Sequence, residues 1–138
     1  MGRTAEYAWH GIFVGLAPWL PPGDETQTGP LYGGHRIEGN VFRYTPNGIR
    51  VVGPAEHPTI IEGNEVLNAY HAFQGNGAAI HVLDNRIRVP DPAGVPSSHY
   101  PESAVILNDW GEEGAPCAGS LVRGNVVEGT VNGIQVMA

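Results

Sequence analysis

Apolar and polar positions along this chain follow a phrase that returns four times and always ends on asparagine: His35-Arg36-Ile37-Glu38-Gly39-Asn40, Thr59-Ile60-Ile61-Glu62-Gly63-Asn64, Ile80-His81-Val82-Leu83-Asp84-Asn85 and Ser120-Leu121-Val122-Arg123-Gly124-Asn125. An apolar residue stands three before each asparagine (Ile37, Ile61, Val82, Val122) and another stands two after it (Phe42, Val66, Ile87, Val127). Glycine or aspartate directly precedes the asparagine, which is turn chemistry. Each unit is therefore predicted to carry a short strand that ends at a turn. A second phrase follows at a constant offset: Asn47-Gly48-Ile49 after Asn40, His71-Ala72-Phe73 after Asn64 and Asn132-Gly133-Ile134 after Asn125. His10-Gly11-Ile12 and Ser103-Ala104-Val105 fit the same phrase, the latter after an insertion. Two strands per unit are thus expected to keep register from one unit to the next.

The asparagines recur with a period in the low twenties, from 40 to 64 and from 64 to 85. One such unit cannot bury its apolar face alone, so a fixed period of this length predicts a solenoid of stacked coils. Alternation along the first strand sends Ile37, Ile61, Val82 and Val122 inward. Two outward columns follow, one of Arg36, Ile60, His81 and Leu121, the other of Glu38, Glu62, Leu83 and Arg123.

These residues resemble the coil repeat of the right-handed parallel β-helix family, shared by pectate lyases, polygalacturonases, alginate epimerases and phage tailspikes. The resemblance covers roughly residues 8 to 138. It implies an all-β, right-handed parallel β-helix of about four coils with three long loop insertions, forming one domain over 1–138. It also implies that Asn40, Asn64, Asn85 and Asn125 stack at a coil corner as an internal ladder. The chain lacks the Tyr-Gly-Phe-Asp-Pro-His stretch of alginate epimerases, the clustered aspartates of polygalacturonases and the calcium-binding aspartates of pectate lyases, so no catalytic residue transfers from those enzymes. Fold alone does not name a reaction.

Taken in order, the chain opens on a strand of the second type at 8 to 14. Gly15 to Gly34 then form a long connection rich in Pro and Gly, and a loop of this length in a compact domain is usually functional or disordered. Coils are expected at 35–58, 59–79 and from 80 onward. The third is interrupted at 90–101 and 108–116, and the last runs from 120 to 137. Neither end reads as a polar capping unit, and an open strand edge templates pairing with another chain. Either a longer solenoid or a homo-oligomer stacked end to end is expected.

Composition narrows the function classes. The 20 Gly and 12 Pro of 138 residues would suggest disorder without the repeat, but here the glycines recur at coil corners. A net charge of −7 with only seven Lys plus Arg leaves no basic footprint for nucleic acid. No apolar stretch approaches the roughly 20 residues of a membrane helix, and residues 1 to 6 lack the apolar core of a signal peptide. A soluble chain is expected, with its compartment open. A single cysteine, Cys117, excludes an internal disulfide and any thiolate cluster.

Candidate chemistry falls in two places. Coil stacking at about 4.8 Å would bring the carboxylates of Glu38 and Glu62 roughly 5 to 6 Å apart, near the separation of a retaining glycosidase pair. His81, outward beside them, could serve as general base; the bland alternative is solvated acids that a repeat stacks without selection. Loop placement gives the second place. The connections 15–34 and 108–119 leave the same side of the solenoid and flank the tight ones at 52–58 and 74–79. They would wall a trough with Trp19, Asp24, Glu25, Asp109, Trp110, Glu112 and Glu113, floored by Glu56, His57 and Asn76. Indoles beside acids and amides suit a sugar ring; the alternative makes Trp19 and Trp110 apolar lids. Asp109, Glu112 and Glu113 could bind Ca²⁺, although acidic turns usually bind nothing, and no other cofactor or metal is expected.

Three functions follow. The first is carbohydrate binding in the trough, with neutral sugars favoured by the acidic chain. The second is a polysaccharide lyase, hydrolase or epimerase using Glu38, Glu62 and His81. The third is a structural module that pairs through open ends.

Overall fold

The computed structural model describes residues 10–15, 34–45, 47–52, 57–69, 71–76, 79–89, 103–108, 119–129 and 132–137. All regular structure among them is β. The strands are β1 (His10–Gly15), β2 (Arg36–Glu38), β3 (Val41–Arg43), β4 (Asn47–Val52), β5 (Thr59–Glu62), β6 (Glu65–Leu67), β7 (His71–Asn76), β8 (Ile80–Leu83), β9 (Arg86–Arg88), β10 (Ser103–Asn108), β11 (Leu121–Arg123), β12 (Val126–Glu128) and β13 (Asn132–Met137). They form three parallel sheets: sheet A in the order β1-β4-β7-β10-β13, sheet B as β11-β8-β5-β2, and sheet C as β12-β9-β6-β3. The chain visits B, C and A in turn, which makes a three-sided parallel β-helix.

The asparagine phrase sets the register as its spacing predicts. In sheet B, Ile37 pairs with Ile61, Ile61 with Val82 and Val82 with Val122. In sheet C, Phe42, Val66, Ile87 and Val127 pair in the same succession. In sheet A, His10, Asn47, His71, Ser103 and Asn132 line up. The strand count per coil differs from the two expected. The residue two after each asparagine lies on a strand of its own, because the chain bends at the asparagine and starts a third side.

That bend has a local cause. The residue before each asparagine adopts positive φ: 66° at Gly39, 62° at Gly63, 52° at Asp84 and 70° at Gly124. Glycine enters this region freely, whereas a residue with a Cβ is strained there, so Asp84 carries a cost the other three corners avoid. Around the bend, Glu65 N–H donates to Asn40 O, Arg86 N–H to Asn64 O and Val126 N–H to Asn85 O, each at 2.9 Å. The corner backbone is thereby paired from coil to coil.

Inward side chains form one continuous core of Ile61, Val66, Phe73, Val82, Ile87 and Val105 with their stacked neighbours, nearly all of them fully buried. Burial of such a side chain contributes roughly 1.5 to 3 kcal/mol, and a coil contributes one or more from every side. Within sheet A, β4 and β7 lie so close at Gly48 that a Cβ added there would lie 2.5 Å from the carbonyl of Ala72 on the neighbouring strand. The first rungs of sheets B and C keep their inward residues covered, with Ile37 7% and Phe42 8% exposed. The rung of β11, β12 and β13 does not: Ile134 is 54% and Val136 67% exposed. No helix among the described residues is long and apolar enough to cross a membrane.

Candidate functional site

The internal ladder is built from side-chain amides. Asn64 Oδ1 accepts from Asn40 N–H at 3.0 Å and from Asn40 Nδ2 at 3.1 Å. Asn85 Oδ1 accepts the same pair of donors from Asn64 at 2.8 and 3.0 Å. Asn125 Oδ1 accepts both from Asn85 at 2.9 Å. Each Nδ2 also reaches the inward residue of the coil before: Asn64 to Ile37 O at 3.0 Å, Asn85 to Ile61 O at 3.0 Å and Asn125 to Val82 O at 2.8 Å. Asn64 and Asn85 are each only 1% exposed. These amides bond to one another and to backbone groups of the adjoining coils.

The outward face of sheet B carries the first candidate constellation. Glu38 and Glu62 are direct neighbours in register. Arg36 stands between them, its Nε donating to Glu38 Oε2 and its Nη2 to Glu62 Oε2. The hydrogen bond and charge of Glu38, followed by the charge of Glu62, raise the pKa of the Arg36 guanidinium. Arg36 was visible in the sequence as a member of the neighbouring outward column. Its spacing of two from Glu38 on one face is the signal that places it between the acids. Arg36 thus bridges the two carboxylates across the outward face of sheet B.

His81 lies one column away, between Ile60 and Leu121 in register. Its Nε2 lies 3.2 Å from Gly119 O. A carbonyl oxygen only accepts, so Nε2 is the donor in that contact. The imidazole therefore ties β8 to the segment that leads into β11.

The second constellation surrounds the corner where sheet A passes to sheet B. His57 is exposed there, and its carbonyl accepts from Gly34 N–H at 3.0 Å. Asn76 ends β7 at the same corner, its backbone in register with Val52 and Asn108. Trp19, Asp24, Glu25, Glu56, Asp109, Trp110, Glu112 and Glu113 lie outside the described residues. The expectation of Ca²⁺ on Asp109, Glu112 and Glu113 lies outside them too. Among the described residues no three His, Cys, Asp or Glu side chains group closely enough to hold a metal ion.

One side chain escaped the sequence reading. Arg50, on β4 between Phe13 and Gln74 in register, is partly buried, with its Nε enclosed and without a hydrogen-bond partner. Desolvation lowers its pKa. Its only sequence signal was a cation at the fourth position of a six-residue strand otherwise rich in apolar residues.

No family model, no curated protein and no solved structure matches this chain.

Proposed function

We propose that the chain binds a carbohydrate or a similar polyhydroxylated ligand at the corner between sheets A and B. The order of sheet A supports this reading. The connections 16–35 and 109–120 both leave a sheet A strand for a sheet B strand, following β1 and β10. β4 and β7 lie between these strands, and the connections that follow them, 53–58 and 77–79, are short. Three strand spacings separate β1 from β10, roughly 14 Å, a span that suits a saccharide chain lying across the coils. His57 sits on the short connection 53–58, and Asn76 ends β7 where the connection 77–79 begins. Trp19 and Trp110 belong to the two long ones, where an indole face can pack against the C–H face of a sugar.

The ion-paired arrangement of Glu38, Arg36 and Glu62 weighs against hydrolysis by that pair and favours binding without turnover. The test is titration of tryptophan fluorescence with a panel of neutral and uronic oligosaccharides, on the native chain and on Trp110→Ala. A saturable change that Trp110→Ala weakens at least tenfold is expected for one class of sugar. Silence of the native chain across the panel would sink the binding reading. Release of reducing ends or of unsaturated product, abolished in Glu38→Gln or Glu62→Gln, would replace it with the enzyme reading.

A further inference from the structure

The strands of sheet A turn two successive residues toward the core. A Cβ added at Gly48 would lie 3.6 Å from Val66 Cγ1, and Ile49 and Val51 belong to the core themselves. Asn47 and Arg50, which flank the inward pair, therefore face outward. The pattern repeats on the neighbouring strands. His71 and Gln74 flank the core residues Ala72 and Phe73, and Ser103 and Ile106 flank Ala104 and Val105. In register, Asn47, His71 and Ser103 form one outward column, and Arg50, Gln74 and Ile106 form the other.

This face is sheltered, unlike that of sheet B. The outward side chains of Arg36 and Glu38 are 52% and 59% exposed, whereas Asn47, His71, Gln74, Ser103 and Ile106 are each 8% exposed or less. Charge is as unevenly spread. The five strands of sheet A contain no Asp or Glu, and Arg50 is their only Lys or Arg. Other described arginines either meet an acid, as Arg36 meets Glu38 and Glu62 and Arg88 meets Glu128, or are exposed, as are Arg43, Arg86 and Arg123. Arg50 does neither. Its Nε is enclosed and unbonded, and desolvation is what lowers its pKa. Drawing a cation out of water without a counter-ion is costly, and an anion that supplies the missing charge-assisted bonds offsets that cost.

We propose that Arg50 is the recognition residue of a second binding site, on the outward face of sheet A, for the carboxylate of a small hydroxy acid. Three features select this ligand. The guanidinium edge made by Nε and one Nη matches the two oxygens of a carboxylate, and Nε is the atom left without a partner. One fixed cation balances a monoanion but not a phosphate dianion. Beside it, Asn47 Oδ1 is a buried acceptor with no donor, which a hydroxyl next to the carboxylate supplies. Arg50 keeps part of its surface in solvent, so the acid has a way in. The net charge of −7 opposes anions at long range, but at about 0.15 M salt that field is screened beyond about 8 Å.

Isothermal titration with acetate, L-lactate and D-gluconate, with D-glucose as the neutral control, tests the site at about 0.15 M salt. At least one hydroxy acid should bind at one site and more tightly than acetate. Arg50→Gln should weaken it about tenfold or more, and Arg50→Lys should also weaken it, because an ammonium lacks the paired edge. Trp110→Ala should leave it unchanged, which separates this site from the saccharide corner. Phenylglyoxal labelling reads the native chain without any substitution: the bound acid should protect Arg50, while exposed Arg43 and Arg86 react with or without it. Absence of acid binding at about 10 mM, where even a contact of about −3 kcal/mol is populated, would overturn the proposal. So would equal binding by Arg50→Gln, or an acid that leaves the labelling of Arg50 unchanged.

Discussion

Replacing Asn64 by alanine tests the ladder where it is most enclosed. The substitution keeps the backbone and Cβ and deletes an amide that is 1% exposed. Lost with it are the Nδ2 bonds to Ile37 O, Glu62 O and Asn85 Oδ1 and the two bonds that Asn64 Oδ1 accepts from Asn40. Asn85 Oδ1 retains Asn64 N–H at 2.8 Å, so the groups left short are chiefly Asn40 N–H and Ile37 O. Each stranded buried group costs about 1 to 3 kcal/mol, which makes the expected loss about 2 to 6 kcal/mol out of the roughly 5 to 15 kcal/mol that holds a domain folded. A chain of this size loses about 3 to 4 °C in Tm for each kcal/mol, so the Tm should fall by about 6 to 24 °C. Asn40→Ala is the control: Asn40 is partly exposed and its Nδ2 reaches only Glu38 O and Asn64 Oδ1. It should cost about 1 kcal/mol. Asn64→Asp should be worse than alanine at neutral pH, since it turns a carboxylate oxygen toward Ile37 O. Urea denaturation with all three variants decides the matter. Equal losses for Asn64→Ala and Asn40→Ala would refute the account of the ladder as a buried, directional chain of amides.

Other substitutions test the corners and the ion cluster. Asp84→Gly should stabilise by about 1 kcal/mol, because it relieves the left-handed backbone at the one asparagine corner that lacks glycine; a loss in denaturant midpoint would contradict this. Gly124→Ala adds a Cβ at φ 70° and 1.9 Å from Asp84 Oδ1, so a drop of about 1 to 3 kcal/mol is expected, with partial recovery in the double variant with Asp84→Gly. Gly48→Ala pushes against the Ala72 carbonyl, which is backbone and cannot swing away, and its thermal melt should fall by several degrees, about 1 to 3 kcal/mol. Arg36→Ala removes exposed ion pairs, which are weak in water; its melting temperature at 0.5 M salt should match that of the native chain, and a clear fall would give Arg36 a structural role.

Inward and outward columns were legible in the sequence because a parallel stack repeats one residue pattern at one register. Ile37, Ile61, Val82 and Val122 had to be neighbours once the asparagines were aligned. The third side was harder to read. Strands of three residues, such as β3 and β6, carry a single inward residue each, too few for alternation to separate them from the strand before. Side-chain chemistry was less legible still. The columns placed Glu38 beside Glu62, but a guanidinium two residues from Glu38 reached across both, and only rotamers decide that. Arg50 was invisible for the related reason that enclosure belongs to the assembled surface.

The three corners of the coil have different freedoms. Between sheets B and C the chain always spends the same two residues, 39–40, 63–64, 84–85 and 124–125. Between C and A it spends 44–46, 68–70 or 129–131, yet also the long run 89–102, and between A and B it ranges from 77–79 to 16–35. The amide ladder thus acts as a spine along one vertex, while the other two vertices are open sites for lengthening. A foreign loop grafted between Ala69 and His71 or between Asn76 and Ala79 should be carried without disturbing the stack; the same graft between Gly63 and Asn64 would cut it in two.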